Sequence, residues 1–418
     1  MSPIEALHRY TLLESPTGDR KALDALAEVL IADAARAGFH TDREDGHLLW
    51  SLPGDPRSPL LFLSHYDTVW PLGTLRDMPW SIDGDTIKGP GVYDTKAGLA
   101  ALLAAATAIG AAPSPSTPSS PGAPPSPGTP PSAGTPSSPG TPPSPDAAIS
   151  PSVPPLPRGQ IGDVRPEIRV LVVADEEIGS PSATGLVRAE AAKAAAVFGL
   201  EPPHPNGDLK TGRRGSTRAR IEVTGIEAHA ALDPDAGVNA IDELIDQLIA
   251  FRALVAGRPV LLNTGTVEGG GRTNVVAGHA RADLGLRFLD PADEKAVLAG
   301  LDNLTPVRDR ARIATSLLAH RPTWRPSEPG SALLARVIEV AASIGQPLNG
   351  SPADGAADTN TTGALGVPTV DGLAPRGGGA HARHEWVSAS GITERIALLT
   401  ALMTATNLGR APGLRREP

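Results

Sequence analysis

Apolar residues at Leu23, Leu26, Leu30, Ala34 and Ala37 recur at helical spacing, so residues 21–37 read as a helix with one buried face. The short apolar run 60–63 ends in Ser64-His65 and reads as a buried strand. Runs 168–174 and 195–200 repeat that pattern and end in Asp175-Glu176-Glu177 and in Glu201. A helix is expected over 96–109. Apolar strands alternating with helices predict an α/β fold with a mainly parallel sheet covered on both faces. Such sheets place ligand sites at the carboxyl ends of their strands, where these acids lie.

The pattern changes after Lys210. Residues 216–224 alternate Arg218, Arg220 and Glu222 against Ala219, Ile221 and Val223, which suits a half-exposed strand. A helix over 238–254, strands over 260–267, 280–289 and 310–317, and a helix over 291–301 complete a small α+β unit. Helices over 333–343 and 392–406 return to the first unit. The expected organisation is one domain from 1–207 and 322–418, with a second, 208–321, inserted into it.

Composition adds three points. Proline concentrates in residues 113–157, where Gly122, Gly128, Gly134 and Gly140 recur every six residues among Pro, Ser and Thr. Such a segment buries too little apolar surface to offset its chain entropy, so a disordered insertion with polyproline character is expected. A proline-rich ligand for a partner domain is the other reading. The chain has no cysteine, which excludes disulfides, thiolate metal sites and thiol nucleophiles. Its formal charge of −9 argues against nucleic-acid binding. No basic start followed by an apolar core is visible, and no apolar run reaches the roughly 18 residues that span a bilayer. No membrane association and a cytoplasmic location are the expectations.

The chemistry gathers at the predicted strand ends. His65 and Asp67 can point the same way, because strand side chains alternate, and the carboxylate would fix the imidazole tautomer. A purely structural pair is the plainer reading. Asp94 sits in a Gly-rich turn before a helix, as a helix N-cap or as one constrained functional carboxylate. Three adjacent acids at 175–177 repel one another unless cations neutralise them, although an acidic surface turn is possible. Near residue 381, spacing leaves His381 and His384 equally placed as ligands. Together His65, Asp94, Glu177, Glu201 and His381 form a set of five N/O ligands suited to two zinc ions sharing one carboxylate. A remaining acid of the run would then serve as general base.

Four segments carry a family resemblance. They are Ser64-His65-Tyr66-Asp67-Thr68-Val69, the stretch from Gly89 through Asp94 to Gly98, Asp175-Glu176-Glu177-Ile178-Gly179-Ser180, and the tail from Gly377 through His381 to Val387. In this order, and with Glu201, they resemble the two-zinc metallopeptidase superfamily of glutamate carboxypeptidase, aminoacylase, acetylornithine deacetylase and succinyl-diaminopimelate desuccinylase. The glutamate carboxypeptidase branch is the most similar. The resemblance implies a zinc-peptidase catalytic domain with an inserted dimerisation or lid domain, and a homodimer. It implies that His65, Asp94 and Glu201 hold one zinc, and Asp94, Glu177 and His381 the other, with Co2+ or Mn2+ as substitutes. Glu176 would be the base and Asp67 would orient His65. His229 in Thr224-Gly225-Ile226-Glu227-Ala228-His229 would reach the partner's site and stabilise the oxyanion. Asn274 and Arg287 would hold a substrate carboxylate, and a carboxylate would also offset the cost of burying Arg287 on its strand. Lys210 and Arg213 would meet an acidic substrate group or form a solvated basic turn. The implied activity is release of a C-terminal amino acid. Deacylation of N-acyl amino acids and a noncatalytic scaffold displaying the proline-rich tract are the alternatives.

Overall fold

A computed structural model describes residues 1–111, 165–406 and 408. The proline-rich segment 113–157, and with it the expectation of disorder, lies outside the described residues.

The larger sheet has six strands, in the order His40–Glu44, His47–Leu52, Pro166–Val173, Asp55–His65, Ala196–Gly199 and Thr369–Val370. The last four run parallel, and the first two form an antiparallel edge. The continuous apolar runs arise because both faces are covered. Leu60 and Phe62 face one core with the helices Arg20–Arg36, Ala97–Ala111 and Ala389–Thr404. Leu61 and Leu63 face a second core with Val187 and Ala191 of the helix Thr184–Ala191. The stretch Val92–Gly110 has 19 residues and mean hydropathy 1.2, which by length and composition alone would suffice to cross a membrane, although Asp94 and Lys96 interrupt its apolar run. It is a core helix here, with 72% of that window buried inside the molecule.

A second sheet is antiparallel, in the order Val260–Gly269, His279–Phe288, Gly215–Thr224 and Arg312–Arg321. One of its faces is covered by the helices Ala240–Val255 and Pro291–Asp302, around a separate core of Ile221, Leu244, Phe251, Leu286, Phe288, Val297 and Leu301. The opposite face is open and polar. The chain enters this body after the strand Leu209–Arg213 and leaves it beyond Arg321. The two crossings are tied by backbone bonds of 2.9 and 3.1 Å between Arg213 and Trp324.

Candidate metal centre

His65 ends a central strand and is buried. Its Nδ1 lies 3.0 Å from the Asp67 carbonyl and 3.3 Å from Asp67 Oδ1. With the proton held there, Nε2 presents a lone pair. That nitrogen faces Asp94 Oδ1 at 3.2 Å and Glu201 Oε1 at 3.7 Å.

Asp94 is placed by a turn whose Gly91 takes φ 72°, and the Asp94–Thr95 peptide is cis. Its second oxygen, Oδ2, lies 3.2 Å from His381 Nε2. His381 Nε2 also lies 3.0 Å from Glu177 Oε2. Asp94 therefore links two clusters, His65–Asp94–Glu201 and Asp94–Glu177–His381. All five expected ligands converge. Ligand atoms of His65, Asp94 and Glu177 lie within 4.8 Å of one another. His381 adopts φ 60°, in the left-handed region, which turns its ring toward the acids. His384 is exposed and forms no contact with this cluster among the described residues.

The three adjacent acids diverge. Asp175 turns back, and its Oδ2 accepts from Ser182 N at 2.8 Å and Ser182 Oγ at 2.6 Å. Glu177 faces His381. Glu176 is buried, and its Oε1 pairs with Arg321 Nη2 at 2.7 Å. Asp67 organises this run as well as His65. Its carboxylate accepts from the backbone of Glu176 at 3.1 Å and of Glu177 at 3.2 Å, and from Thr17 Oγ1 at 2.7 Å.

The electrostatics fit a cation-binding cradle. Burial, reinforced by Asp94, pushes Glu201 up to about 7. Burial also raises Glu176 well above the usual carboxylate range, against the opposing pull of Arg321. Hydrogen bonds to Asp94 and Glu177 raise His381 to about 10. Against its burial, hydrogen bonds from His381 and His65 hold the Asp94 carboxyl well below the usual carboxylate range, whereas Glu201 and Glu176 resist ionising and so lack positive charge beside them. Divalent cations would supply it, and the all-N/O donor set suits zinc, cobalt or manganese.

Other expected residues lie elsewhere. His229 is on an exposed loop, where its Nδ1 accepts from the backbone of Ala231 at 3.2 Å and Leu232 at 3.1 Å. Asn274 adjoins it, and its carbonyl accepts from Ala230 N at 3.0 Å. Neither touches the metal cluster among the described residues. Arg287 is exposed, so no burial cost applies to it, and its Nη1 donates to the Leu286 carbonyl at 3.0 Å. Arg213 is neither a solvated turn residue nor open to substrate. It is buried, pairs with Asp371 at 2.7 Å and stands 3.9 Å behind Glu201. Lys210 adjoins it, partly buried.

Two supporting residues escape the sequence reading. Arg321 holds Glu176 and also Asp358 Oδ1 at 3.3 Å. Glu385 accepts from the backbone N–H groups of Gly91, Tyr93 and Asp94 at 2.9, 2.9 and 3.1 Å. Its one advance signal is an acid lodged in the Gly-rich histidine segment.

Residues 211–306 match the profile of a peptidase dimerisation domain. The chain is 23% identical over 420 residues to carboxypeptidase G2 of Pseudomonas sp. (strain RS-16), covering 97% of this chain and 90% of that protein. Over 144 residues it is 37% identical to succinyl-diaminopimelate desuccinylase of Gluconacetobacter diazotrophicus, covering 30% of this chain and 36% of that one. In fold it resembles an M20 family metallo-carboxypeptidase from Sulfolobus solfataricus, with TM-score 0.64, 15% identity and coverage of 97% and 99%. The dinuclear-metal M20 peptidase YXEP of Bacillus subtilis gives TM-score 0.57 at 12% identity, with coverage of 97% and 98%. This fold, the matched dimerisation domain and the ligand cluster together support placing the chain in the M20 superfamily of metal-dependent hydrolases.

Proposed function

We propose that this enzyme is a two-zinc carboxypeptidase. It would act as a homodimer and release the C-terminal residue of a short peptide or N-acyl amino acid. The observation that carries the reading is the bridging position of Asp94, with one oxygen toward His65 and Glu201 and the other toward His381 and Glu177.

When bound, a pair of divalent ions would polarise the scissile carbonyl and lower the pKa of an attacking water. Glu176 supplies the proton handling. Its buried carboxyl has a raised proton affinity, so it can take the water's proton and pass it to the leaving amine. Arg321 fixes the orientation of that carboxyl. Asn274 and Arg287 receive the free carboxylate. His229 lies on an exposed loop, which suits a role across a dimer, where the partner's His229 would stabilise the oxyanion. Deacylation of N-acyl amino acids would use the same residues, and the stretch similar to a desuccinylase favours it as the second reading.

The test loads the purified protein with zinc and screens N-acyl-glutamates, N-acetyl amino acids and dipeptides. Glu176→Gln should still bind about two ions per chain, while kcat falls by roughly three orders of magnitude or more. Wild-type turnover in that variant would remove Glu176 from its role.

A further inference from the structure

The cluster His65–Asp94–Glu201 is assembled from separate segments. His65 ends the strand Asp55–His65, Asp94 sits in the turn before the helix Ala97–Ala111, and Glu201 follows the strand Ala196–Gly199. Their spacing has to be set by bonds that cross between these segments. Two such bonds meet at Leu200. Its amide donates to the Leu63 carbonyl at 2.8 Å, continuing the parallel pairing of the two strands. Its carbonyl accepts from the Thr95 hydroxyl at 2.5 Å. Leu63 stands two residues before His65, Leu200 one before Glu201, and Thr95 one after Asp94. A short relay of bonds thus spans three ligand-bearing segments.

The two bonds differ in what they require. The first is backbone pairing, which any residue with an N–H can make. The second depends on one hydroxyl. Thr95 and Leu200 are both fully buried, so water cannot take the place of either partner. Gly98, in the first turn of the helix, makes room for the contact. A Cβ there would lie 3.1 Å from Thr95 Oγ1 and 3.1 Å from the Leu200 carbonyl oxygen.

The other cluster has different supports. The Glu177 amide donates to Asp67 at 3.2 Å, and the loop of His381 closes on itself through a 2.9 Å bond from Ala382 N to the Gly379 carbonyl. Glu385 grips the Asp94 loop from the side of Gly91 and Tyr93. Those bonds place the loop, whereas Thr95 ties it to the segment that carries Glu201.

We propose that Thr95 is a positioning residue for one metal ion of the pair. Its hydroxyl sets the separation of Asp94 and Glu201, and so tightens the ion held by His65, Asp94 and Glu201 without tightening the ion at Glu177 and His381. The proposal rests on the two-ion reading above. A metal ion accepts its ligand atoms only within a narrow range of distance, and groups behind the ligands hold them there. Without the hydroxyl, a buried carbonyl loses its donor and the two segments can part.

The test compares Thr95→Val, which keeps the side chain's shape, Thr95→Ala, and Thr95→Ser, which keeps the hydroxyl. Titration of the metal-free proteins with zinc against a chromophoric chelator reads the affinities without turnover. Val and Ala should each weaken one ion about 10- to 100-fold and leave the other within about threefold, while Ser should hold both within about threefold of wild type. Anomalous scattering from crystals of Thr95→Val grown with one equivalent of zinc should place the ion beside Glu177 and His381. Unchanged affinities in Val and Ala, equal weakening of both ions, or a retained ion beside Glu201 would overturn the assignment. So would Thr95→Ser binding as weakly as Thr95→Ala, because packing and not the hydroxyl would then be responsible. Failure of both Val and Ala to fold without metal would assign Thr95 to the fold and reject its role at the ion. If the wild type takes up only one ion, the two-ion reading falls. Thr95 is then judged by whether that single ion weakens in Val and Ala but not in Ser, and an ion held equally by all four proteins rejects it.

Discussion

Glu385 commits both carboxylate oxygens to the loop that carries Asp94. One accepts from Tyr93 and Asp94, and the other from Gly91 and from the Trp70 indole at 2.9 Å. It touches no expected ligand side chain, yet it sets where the bridging carboxylate stands. In Glu385→Gln an amide NH2 would face donors, and at least one pair of bonds would be lost. Zinc affinity should fall about 10- to 100-fold, as it does when groups behind a metal ligand are removed. Competition with a chromophoric chelator measures it, and unaltered affinity would deny Glu385 its positioning role. Four of the five expected ligands and Asp67 are marked in the sequence by a strand-end or Gly-rich context, whereas spacing leaves His381 and His384 level and only the family resemblance selects His381. The positions that Glu385 and Arg213 take behind the site are not so marked, for a physical reason. Their partners lie 291 and 158 residues away in the chain for Asp94 and Asp371, so only folding reveals the contact.

Strands buried on both faces announce themselves as continuous apolar runs, and Ala196–Gly199 is one of them. The hairpin of His40–Glu44 and His47–Leu52 does not, because four of the five residues in its first strand are exposed. Its signal is the turn Asp45-Gly46, with φ 49° and 95°. The helix Pro3–Leu12 is likewise betrayed by its Ser2–Glu5 capping box more than by periodicity. Gly199 shows what the strand leading to Glu201 requires. A Cβ there would lie 2.1 Å from Asp371 Oδ1 and 2.6 Å from Thr359 Cγ2. Asp371 is fully buried and held by Arg213 at 2.7 Å and Thr359 Oγ1 at 2.6 Å, so it cannot yield without breaking a buried ion pair. Gly199→Ala should therefore destabilise the protein by about 3–5 kcal/mol. Gly185 lies in the helix Thr184–Ala191 with nothing within 4 Å of an added Cβ. Gly185→Ala should raise stability by up to about 1 kcal/mol through helix propensity alone. Denaturant midpoints compare the two, and equal stability of the variants would refute the steric argument.

The whole chain contains three tyrosines, Tyr10, Tyr66 and Tyr93, and all are buried in the larger body. Burial pushes each phenol up to about 12, against about 10 for an unperturbed one. The folded chain thus keeps three protons to higher pH than the unfolded chain does. Their contribution is full below pH ~10 and is lost as pH rises toward ~12, at about 1.4 kcal/mol per tyrosine per pH unit. Near pH 11 the combined slope approaches ~4 kcal/mol per unit, large beside a typical stability of about 5–15 kcal/mol. Phenolate absorbance should therefore rise only together with loss of the folded signal. No tyrosine lies between Leu209 and Arg321, and that segment has a hydrophobic cluster of its own. Alkaline unfolding should accordingly begin in the larger body, with amide protection in the smaller sheet persisting to higher pH. Hydrogen exchange across pH 9–12 reads both bodies at once. Phenolate formation near pH 10 in a fully protected protein would show that these side chains are not sealed from solvent as the fold requires.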